Sequence, residues 1–330
     1  MKILMYSTRS YDKISFRAAL ENYPGIKIDF LEAALNKQTA ESAKGYDAVC
    51  VFVNDVVDRE VIEALKKFGT KMILARCVGT NNIDIESATT YGIKVKNVPA
   101  YSPESVAEHA LALLMSVNRR IHKAYGRVRD NNFSLTGLSG YCLHGKTVGI
   151  IGLGRIGQAF ARICYGLGMN VIGYDTAITD KFAYITMPND TGTAFKVPLV
   201  DLDSLYKTSD VISIHVPLMK KTKHLINADA MAKMKDDVIL INVSRGGLID
   251  TEALVDYNKK GKFFGIGLDV YEGEDENAFT NHEDDILMNN KYLPELLSCP
   301  NVIVTSHQAF LTDIALQQIA VTTLDNCVNE

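Results

Sequence analysis

The sequence of 330 residues predicts an α/β protein with two domains. Residues 1–100 alternate short apolar strand patterns with helix patterns, and a second series of this kind runs from residue 147 to residue 307. A long helix pattern and a glycine-rich polar stretch separate the two series. Such alternation is typical of parallel sheets covered by helices.

The first series contains five apolar strand patterns and two helix patterns. The helices are predicted over 61–68 and 85–92, and Gly92 ends the second one. The strands are predicted at 2–7, 26–31, 47–53, 71–78 and 93–98.

A single long helix is predicted over residues 103–125. Ser102 is a suitable N-cap, Pro103 fits the first helical position, and apolar residues recur at helical spacing from Val106 to Ile121. The stretch that follows, "NNFSLTGLSGYCLHGK", is where the chain is expected to cross between domains.

The second series begins at "TVGIIGLGRIG" and has two irregular connections. Residues 181–199 are predicted to hold an extra hairpin or a flexible flap, and the acidic residues 272–292 a surface loop with short helical turns. A final amphipathic helix, "DIALQQIAVTTLDNCVN", is expected to return to the first domain. The strands after the first are predicted at 170–175, 210–217, 238–244, 263–270 and 301–307.

Composition narrows the class of protein. Apolar residues make up 47% and charged residues 22%, and the net charge is −4, which argues against general attraction to nucleic acid or anionic membranes. There is no run of about 20 apolar residues and no signal-peptide pattern at the N-terminus. The six cysteines form no CxxC pair, so we expect reduced thiols in a cytoplasmic protein rather than disulfides or a metal site.

A glycine-rich turn supplies the first chemical motif. Gly152, Gly154 and Gly157 form G-x-G-x-x-G between an apolar strand and a helix pattern. The first glycine permits the tight turn, the second lets the backbone approach a pyrophosphate, and the third allows close packing of helix and strand. The helix N-terminus attracts phosphate, and Arg155 can add charge. The motif predicts a Rossmann-type dinucleotide site; the alternative is a purely structural glycine turn.

The next strand ends at Asp175, about 20 residues after the glycines. A carboxylate here accepts hydrogen bonds from both adenine-ribose hydroxyls and repels a 2′-phosphate. No Arg or Lys follows within four residues. The predicted cofactor is therefore NAD rather than NADP.

Four more polar residues lie at or just beyond the ends of later strands of the same series. Arg245 follows the strand at 238–244, Asp269 stands at the end of the strand at 263–270 with Glu274 five residues on, and His307 ends the strand at 301–307. Ligands bind at the carboxyl ends of parallel strands, and an arginine fork can hold a carboxylate through two bonds. The alternatives are a structural salt bridge for Arg245 and a core histidine for His307.

This set of residues resembles the NAD-dependent D-2-hydroxyacid dehydrogenases over nearly the whole chain. The motifs with the family's order and spacing are "NVPAYSPESVAEHAL" (97–111), "TVGIIGLGRIG" (147–157), "HVPLMKKTKHLIN" (215–227), "INVSRGGLIDTEAL" (241–254), "GLDVYEGE" (267–274) and "SHQAF" (306–310).

The resemblance implies a role for each catalytic candidate. His307 matches the family's acid/base, and Glu274 beside it would keep the imidazole charged and fix its tautomer. Arg245 would bind the substrate carboxylate and polarise the carbonyl. Glu272 and Glu276 lie in the same acidic run, but the spacing from Asp269 selects Glu274.

The resemblance also implies the binding residues. Backbone amides of Val78 and Gly79 would hold the substrate carboxylate, Tyr101 would add a hydroxyl, and Phe310 would line a pocket that favours small substrates. The alternative for the two aromatic residues is an ordinary core position. Further NAD contacts are expected at Ile156, Val216, Pro217, Thr222, Val243, Ser244 and Asp269.

The combined prediction is a Rossmann-type NAD-binding domain (101–299) inserted into a flavodoxin-like substrate domain (1–100 with 300–330). The domains are expected to close on NADH and a 2-keto acid. "HQAF" and "DVYEGE" are most similar to the lactate-forming members, which implies reduction of pyruvate to D-lactate. The alternatives are a dehydrogenase for a larger 2-keto acid, of the 2-hydroxyisocaproate type, and an NADH-sensing protein of the corepressor kind.

Other residues receive smaller roles. His109 is expected to be structural, His215 to lie behind the cofactor, and His122, His144, His224 and His282 to be surface residues. No cluster has metal-ligand spacing. The helix at 103–125 and the stretch after it resemble the family's dimerisation element, so a homodimer or homotetramer is expected.

Overall fold

The computed structural model describes residues 1–187, 194–274 and 291–328. It contains two compact units, residues 1–102 with 310–330 and residues 103–309. The expected boundaries near residues 100 and 300 therefore lie at 102/103 and 309/310. The second one moves because Val302–Val304 pairs with Phe263–Leu268 in the sheet of the second unit.

The first unit is built on a parallel sheet with the strand order β2-β1-β3-β4-β5. This is the flavodoxin-like order expected for the substrate domain. The strands are β1 Lys2–Met5, β2 Lys27–Phe30, β3 Ala48–Val51, β4 Met72–Ala75 and β5 Lys94–Asn97.

Helices α1 (Ser10–Leu20), α2 (Arg59–Lys67) and α3 (Ile85–Thr90) belong to this unit. Helix α1 was not predicted, because its buried face contains only Asp12, Phe16 and Ala19 and gives a weak apolar pattern. The C-terminal helix Asp313–Val328 also belongs here, since its Ala320, Leu324 and Cys327 share a core with β1, β3 and β4.

The second unit contains a six-stranded parallel sheet and a separate hairpin. The strands are β6 Thr147–Ile151, β7 Asn170–Tyr174, β8 Phe182–Thr186, β9 Ala194–Pro198, β10 Val211–Ile214, β11 Val238–Asn242, β12 Phe263–Leu268 and β13 Val302–Val304. The parallel sheet has the order β13-β12-β11-β10-β6-β7. The chain order reverses at β6, next to β10, which is the position where doubly wound sheets bind ligands.

The helices of this unit are α4 Pro103–Arg119, α5 Ile121–Arg129, α6 Arg155–Gly166, α7 Leu202–Thr208, α8 Ala228–Lys233, α9 Thr251–Lys259 and α10 Leu293–Ser298. The prediction of one helix over 103–125 was wrong. Arg120 has a left-handed backbone (φ 53°) that separates α4 from α5. Its guanidinium donates to the carbonyl oxygen of Phe264 and lies over that ring, which holds the break in place.

The hairpin predicted within 181–199 is present as the antiparallel pair β8 and β9. One face is buried through Ala183, Ile185, Phe195 and Val197, and Phe195 stacks on Tyr165 at 4.2 Å. Residues 188–193 lie outside the described residues, as does most of the acidic segment predicted to be a loop.

Two further observations bear on the class of protein. All six cysteines are free, and four of them are buried. Within residues 1–187, 194–274 and 291–328, no helix is both long and apolar enough to cross a bilayer.

Candidate active site

The glycine turn after β6 requires glycine at two positions. Gly152 has φ 95°, and a Cβ there would come within 2.7 Å of the carbonyl oxygen of His215. A Cβ on Gly157 would lie 1.9 Å from the carbonyl oxygen of Gly152, so this glycine lets α6 approach the turn. Gly154 caps the N-terminus of α6 and has open space around its Cβ position. The turn therefore leaves room at a helix N-terminus, where phosphate groups bind.

Asp175 follows β7 and is tied to the same turn. Its carboxylate accepts hydrogen bonds from the backbone N–H of Leu153, at 2.8 Å, and of Ala177, at 2.7 Å. The structure thus brings Asp175, the residue predicted to bind the ribose, next to the glycine turn predicted to bind the pyrophosphate.

Arg245 lies in a turn after β11 that neighbouring loops enclose. The side-chain amide of Asn242 donates to the carbonyl oxygen of Arg245. A Cβ on Gly246 would lie 2.1 Å from the backbone of Tyr271, in the segment that leads to Glu274. The backbone at Gly246 and the backbone at Tyr271 are therefore in close contact, which only glycine at position 246 permits. Arg245 and Glu274 lie on these two adjoining stretches of backbone.

His307 and Glu274 form the pair that the sequence predicted. Nδ1 of His307 lies 3.3 Å from Oε1 of Glu274, and both side chains are largely but not wholly buried. His307 follows β13, Glu274 follows β12 and Arg245 follows β11, which are neighbours in the sheet. A carboxylate at this distance restrains the orientation of the imidazole ring.

The backbone of His307 is in the left-handed region (φ 53°), which is uncommon for a residue other than glycine. Its N–H donates to the carbonyl oxygen of Asp269. The next two N–H groups, of Gln308 and Ala309, donate to the Asp269 carboxylate at 2.9 Å each. Asp269 therefore holds the turn that presents His307, a role that the sequence analysis did not assign to it.

Asp269 is fully buried and has two more partners. The hydroxyl of Thr305 donates to its Oδ1 at 2.6 Å, and Nε2 of His109 lies 3.2 Å from the same oxygen. Burial acts to raise the pKa of this carboxyl, but the hydrogen bonds from His109 and Thr305 outweigh burial and lower the pKa below its ordinary value. His109 in α4 was expected to be structural, and in the structure it supports the Asp269 carboxylate. A contact of Asp269 with NAD stays a prediction.

Another, partly exposed histidine forms a carboxylate pair close by. Nε2 of His224 lies 2.8 Å from Oε1 of Glu272. The backbone N–H of His224 also donates to the carbonyl oxygen of Gly247, beside the Arg245 turn. Glu272 and Glu274 therefore serve different histidines, which agrees with the choice of Glu274 for His307.

The remaining residues predicted for the cofactor lie around the carboxyl ends of β6, β10 and β11. Ser244 donates to the carbonyl oxygen of Ile214, and Thr222 donates to that of Pro217. Val216 packs against Gly152, Arg155 and Ile156 begin α6, and Val243 is buried. Their contacts with NAD stay predictions.

The residues predicted to bind substrate in the first unit form two groups. Val78 and Gly79 follow β4. The ring of Phe310 is surrounded by those of Phe52 at 5.9 Å, Tyr101 at 6.4 Å and Tyr11 at 6.5 Å. Phe52 and Tyr11 were not predicted, since an aromatic residue in an apolar strand or a helix gives no separate signal of a pocket.

The site combines three features. They are the glycine turn suited to a dinucleotide, the Asp175 carboxylate suited to its ribose, and the pair of His307 and Glu274 after neighbouring strands. This combination defines a nicotinamide-dependent dehydrogenase. Among the described residues, no cluster of three His, Cys, Asp or Glu side chains is arranged for a metal ion.

The comparisons with known proteins specify the family. The model of the D-isomer specific 2-hydroxyacid dehydrogenase NAD-binding domain matches residues 111–309. The chain is 44% identical to D-lactate dehydrogenase of Escherichia coli K12 over 100% of this chain and 96% of that protein. The chain belongs to the D-isomer specific 2-hydroxyacid dehydrogenases, and it is an NAD-dependent oxidoreductase.

Solved structures agree with this assignment. The apo structure of the Escherichia coli D-lactate dehydrogenase has a TM-score of 0.85 at 44% identity and covers 100% of this chain and 96% of that one. The Aquifex aeolicus D-lactate dehydrogenase, complexed with NAD and lactic acid, has a TM-score of 0.81 at 33% identity, with 99% and 94% covered. A D-2-hydroxyisocaproate dehydrogenase has a TM-score of 0.84 at 32% identity, with 100% and 96% covered.

Proposed function

We propose that this enzyme is a D-lactate dehydrogenase that reduces pyruvate to D-lactate with NADH, and that it runs the reaction in both directions. The observation that carries the proposal is the pair of His307 and Glu274, placed beside the Arg245 turn in an NAD-binding domain. The 44% identity to a D-lactate dehydrogenase over the whole chain supports the same substrate.

The residues of the second unit fit NAD. The open space at Gly154 would accommodate the pyrophosphate at the N-terminus of α6, and Asp175 beside the turn would accept hydrogen bonds from the ribose hydroxyls. When bound, NADH supplies the hydride that reduces the keto carbon.

His307 exchanges the proton. Its Nδ1 is engaged by Glu274, so Nε2 is the atom that gives a proton to the keto oxygen. In the reverse direction the neutral imidazole takes the hydroxyl proton of lactate. General acid–base help of this kind is worth about 10²–10⁴-fold in rate.

Arg245 and the first unit hold the substrate. The guanidinium fork of Arg245 binds the carboxylate and polarises the carbonyl, and the amides of Val78 and Gly79 add two hydrogen bonds to the carboxylate. The rings of Tyr11, Phe52 and Tyr101 surround Phe310. A substrate pocket lined by these bulky rings would favour the methyl group of pyruvate over the branched chain of 2-ketoisocaproate.

A panel of 2-keto acids tests the proposal. Consumption of NADH is followed with pyruvate, 2-ketobutyrate and 2-ketoisocaproate, in parallel with NADPH, and the product is resolved by chiral chromatography. We expect the highest kcat/KM with pyruvate and NADH, and D-lactate as the product. Preference for 2-ketoisocaproate would assign the enzyme to the larger substrate. Tight NADH binding without any turnover would favour a sensor.

We also propose a homodimer or homotetramer. Helix α5 has no buried residue, and exposed apolar side chains continue beyond it. They are Ile121, Tyr125, Val128, Phe133 and Leu135. Contiguous exposed apolar surface of this kind marks contact sites. Light scattering after size exclusion should give a multimer, and the double variant Phe133→Ser, Leu135→Ser should lower its mass; a wild-type monomer would contradict the proposal.

The six free cysteines support a cytoplasmic location.

A further inference from the structure

Two successive backbone carbonyls after β4 are turned toward the end of β5. The carbonyl oxygen of Cys77 accepts from the backbone N–H of Val98 at 3.2 Å. The carbonyl oxygen of Val78 accepts from the side-chain amide Nδ2 of Asn97 at 2.8 Å. The thiol of Cys77 donates to the carbonyl oxygen of Gly79 at 3.1 Å, which restrains the next peptide as well.

The direction of each carbonyl fixes the direction of the N–H that follows it. A trans peptide is planar, and its C=O and N–H point in opposite directions. The described residues contain no cis peptide bond. The N–H groups of Val78 and Gly79 therefore both point away from β5 and lie on one side of the segment. Successive N–H groups arranged in this way form a concave site for an anion.

Asn97 is itself held in place. It is the last residue of β5, in register with Ala75 at the end of β4. Its carbonyl oxygen accepts from Nδ2 of Asn326 in the C-terminal helix at 2.9 Å. The side chain is half-buried, and one N–H of its amide is presented from an anchored backbone to the Val78 carbonyl oxygen.

We propose that Asn97 is a positioning residue for substrate binding: its amide holds the peptide between Val78 and Gly79 so that the Gly79 N–H faces the substrate carboxylate. This inference rests on the proposed function, in which that N–H binds pyruvate. Without the Asn97 donor the peptide can rotate and direct the Val78 carbonyl oxygen at the carboxylate, and two acceptors repel each other.

The side-chain chemistry makes the proposal specific. Leucine at position 97 has a similar size and no donor. Aspartate places an acceptor against the Val78 carbonyl oxygen and adds negative charge near an anion site. Serine keeps a donor with a shorter reach. The pyruvate KM should therefore rise in the order wild type, Asn97→Ser, Asn97→Leu, Asn97→Asp.

The test measures kcat and KM for pyruvate, the dissociation constant of oxamate in the presence of NADH, and the dissociation constant of NADH alone. Oxamate is an amide analogue of pyruvate with the same carboxylate. For Asn97→Leu we expect KM and the oxamate dissociation constant to rise together by about 3–10-fold, the loss of one hydrogen bond. We expect kcat and NADH binding to change by less than about twofold. Asn22→Leu, the same change at an exposed position of the same unit, is the matched control and should change KM by less than about twofold.

The outcomes separate this inference from the proposed function. If wild-type enzyme reduces pyruvate and Asn97→Leu leaves both KM and oxamate binding unchanged, Asn97 does not position the amide. A fall in kcat at constant KM, or equal losses in NADH binding, would also contradict it, because these indicate a general structural role. If Asn97→Leu does not fold, the Ser and Asp variants decide by the same two constants. If the wild type reduces no 2-keto acid, the proposed function fails instead.

Discussion

Three histidine–carboxylate pairs lie in the described part of residues 103–309, and the pairs of His109 with Asp269 and of His307 with Glu274 differ in what the carboxylate does besides meeting the imidazole. Asp269, beside His109, is fully buried and accepts hydrogen bonds from Thr305 and from the N–H groups of Gln308 and Ala309. Glu274, beside His307, is less deeply buried, and its side chain is 11% exposed.

The difference shows how one chemical pair serves two purposes. The Asp269 carboxylate is committed to backbone donors, so His109 completes a structural network. The imidazole of His307 is 22% exposed and is presented on the turn that Asp269 builds. The buried pair thus supports the accessible one.

The largest effect is expected when the accessible pair loses its imidazole. His307→Asn should lower kcat for pyruvate by about 10²–10⁴-fold and leave NADH binding within about threefold, because the proton donor is lost and the nucleotide residues are untouched. Steady-state rates and NADH fluorescence titration measure the two effects. His122→Asn, in the exposed helix α5, is the matched control. Retention of near-normal turnover would remove His307 from the mechanism.

Loss of the charge in the buried pair should affect both fold and activity. Asp269→Asn places an amide against donors that need an acceptor, at a cost of about 1–3 kcal/mol. We expect a thermal midpoint about 2–8 °C lower and kcat reduced by about 10–100-fold, since the His307 turn is loosened. Because the pKa of Asp269 is lowered in the folded state, the stability that it contributes is present above about pH 4 and is lost as the pH falls further. Melting curves at several pH values compare the variant with the wild type, and equal melting curves would refute the role of the network.

Removal of the charge from the accessible pair should act on the rate and not on the fold. Glu274→Gln keeps the size of the side chain, but its neutral amide restrains the His307 imidazole less well than the carboxylate does. We expect kcat for pyruvate to fall by about tenfold, with an unchanged melting temperature and unchanged NADH binding. Steady-state rates and melting curves measure the two effects. A kcat equal to that of the wild type would show that Glu274 does not orient the proton donor.

A buried histidine that meets a hydroxyl instead of a carboxylate is expected to act on the pH dependence of stability, with the smallest effect on catalysis. It sharpens the contrast between the two pairs. Burial lowers the pKa of His215 to about 3, its Nε2 lies 2.8 Å from the hydroxyl of Ser213, and its Nδ1 is buried without a partner. The unfolded chain therefore binds one more proton than the folded chain between about pH 6.5 and pH 3, so stability falls as the pH is lowered through this range. Wild type should lose up to about 1.4 kcal/mol per pH unit more than His215→Asn in urea unfolding. Parallel losses would contradict this account.

Much of the site could be predicted because its residues stand at fixed places relative to strands. The glycine turn follows β6, and Arg245, Glu274 and His307 follow three strands whose apolar patterns are clear. Every predicted strand contains an observed one, and most continue too far, because apolar residues go on into the loops.

What sequence reasoning missed depends on contacts between distant residues. His109 meets Asp269 across 160 positions, and a histidine inside a helix pattern carries no sign of such a partner. The break at Arg120 depends on its guanidinium reaching Phe264, and the ring cluster around Phe310 depends on Phe52 and Tyr11. These are tertiary contacts that local propensity does not encode.

The path of the chain through the two units has a consequence for biosynthesis. Residues 103–309 are contiguous, so this unit has all its parts as soon as they leave the ribosome. The core on one face of the sheet of residues 1–102 is completed only when the C-terminal helix is made, and Tyr23 donates to Asp325 across 302 positions. The apolar side chains of Ile3, Met5 and Leu74 are fully packed only after the last residues have been translated. Nascent chains that stall before residue 313 would expose this surface, which makes them the natural clients of chaperones.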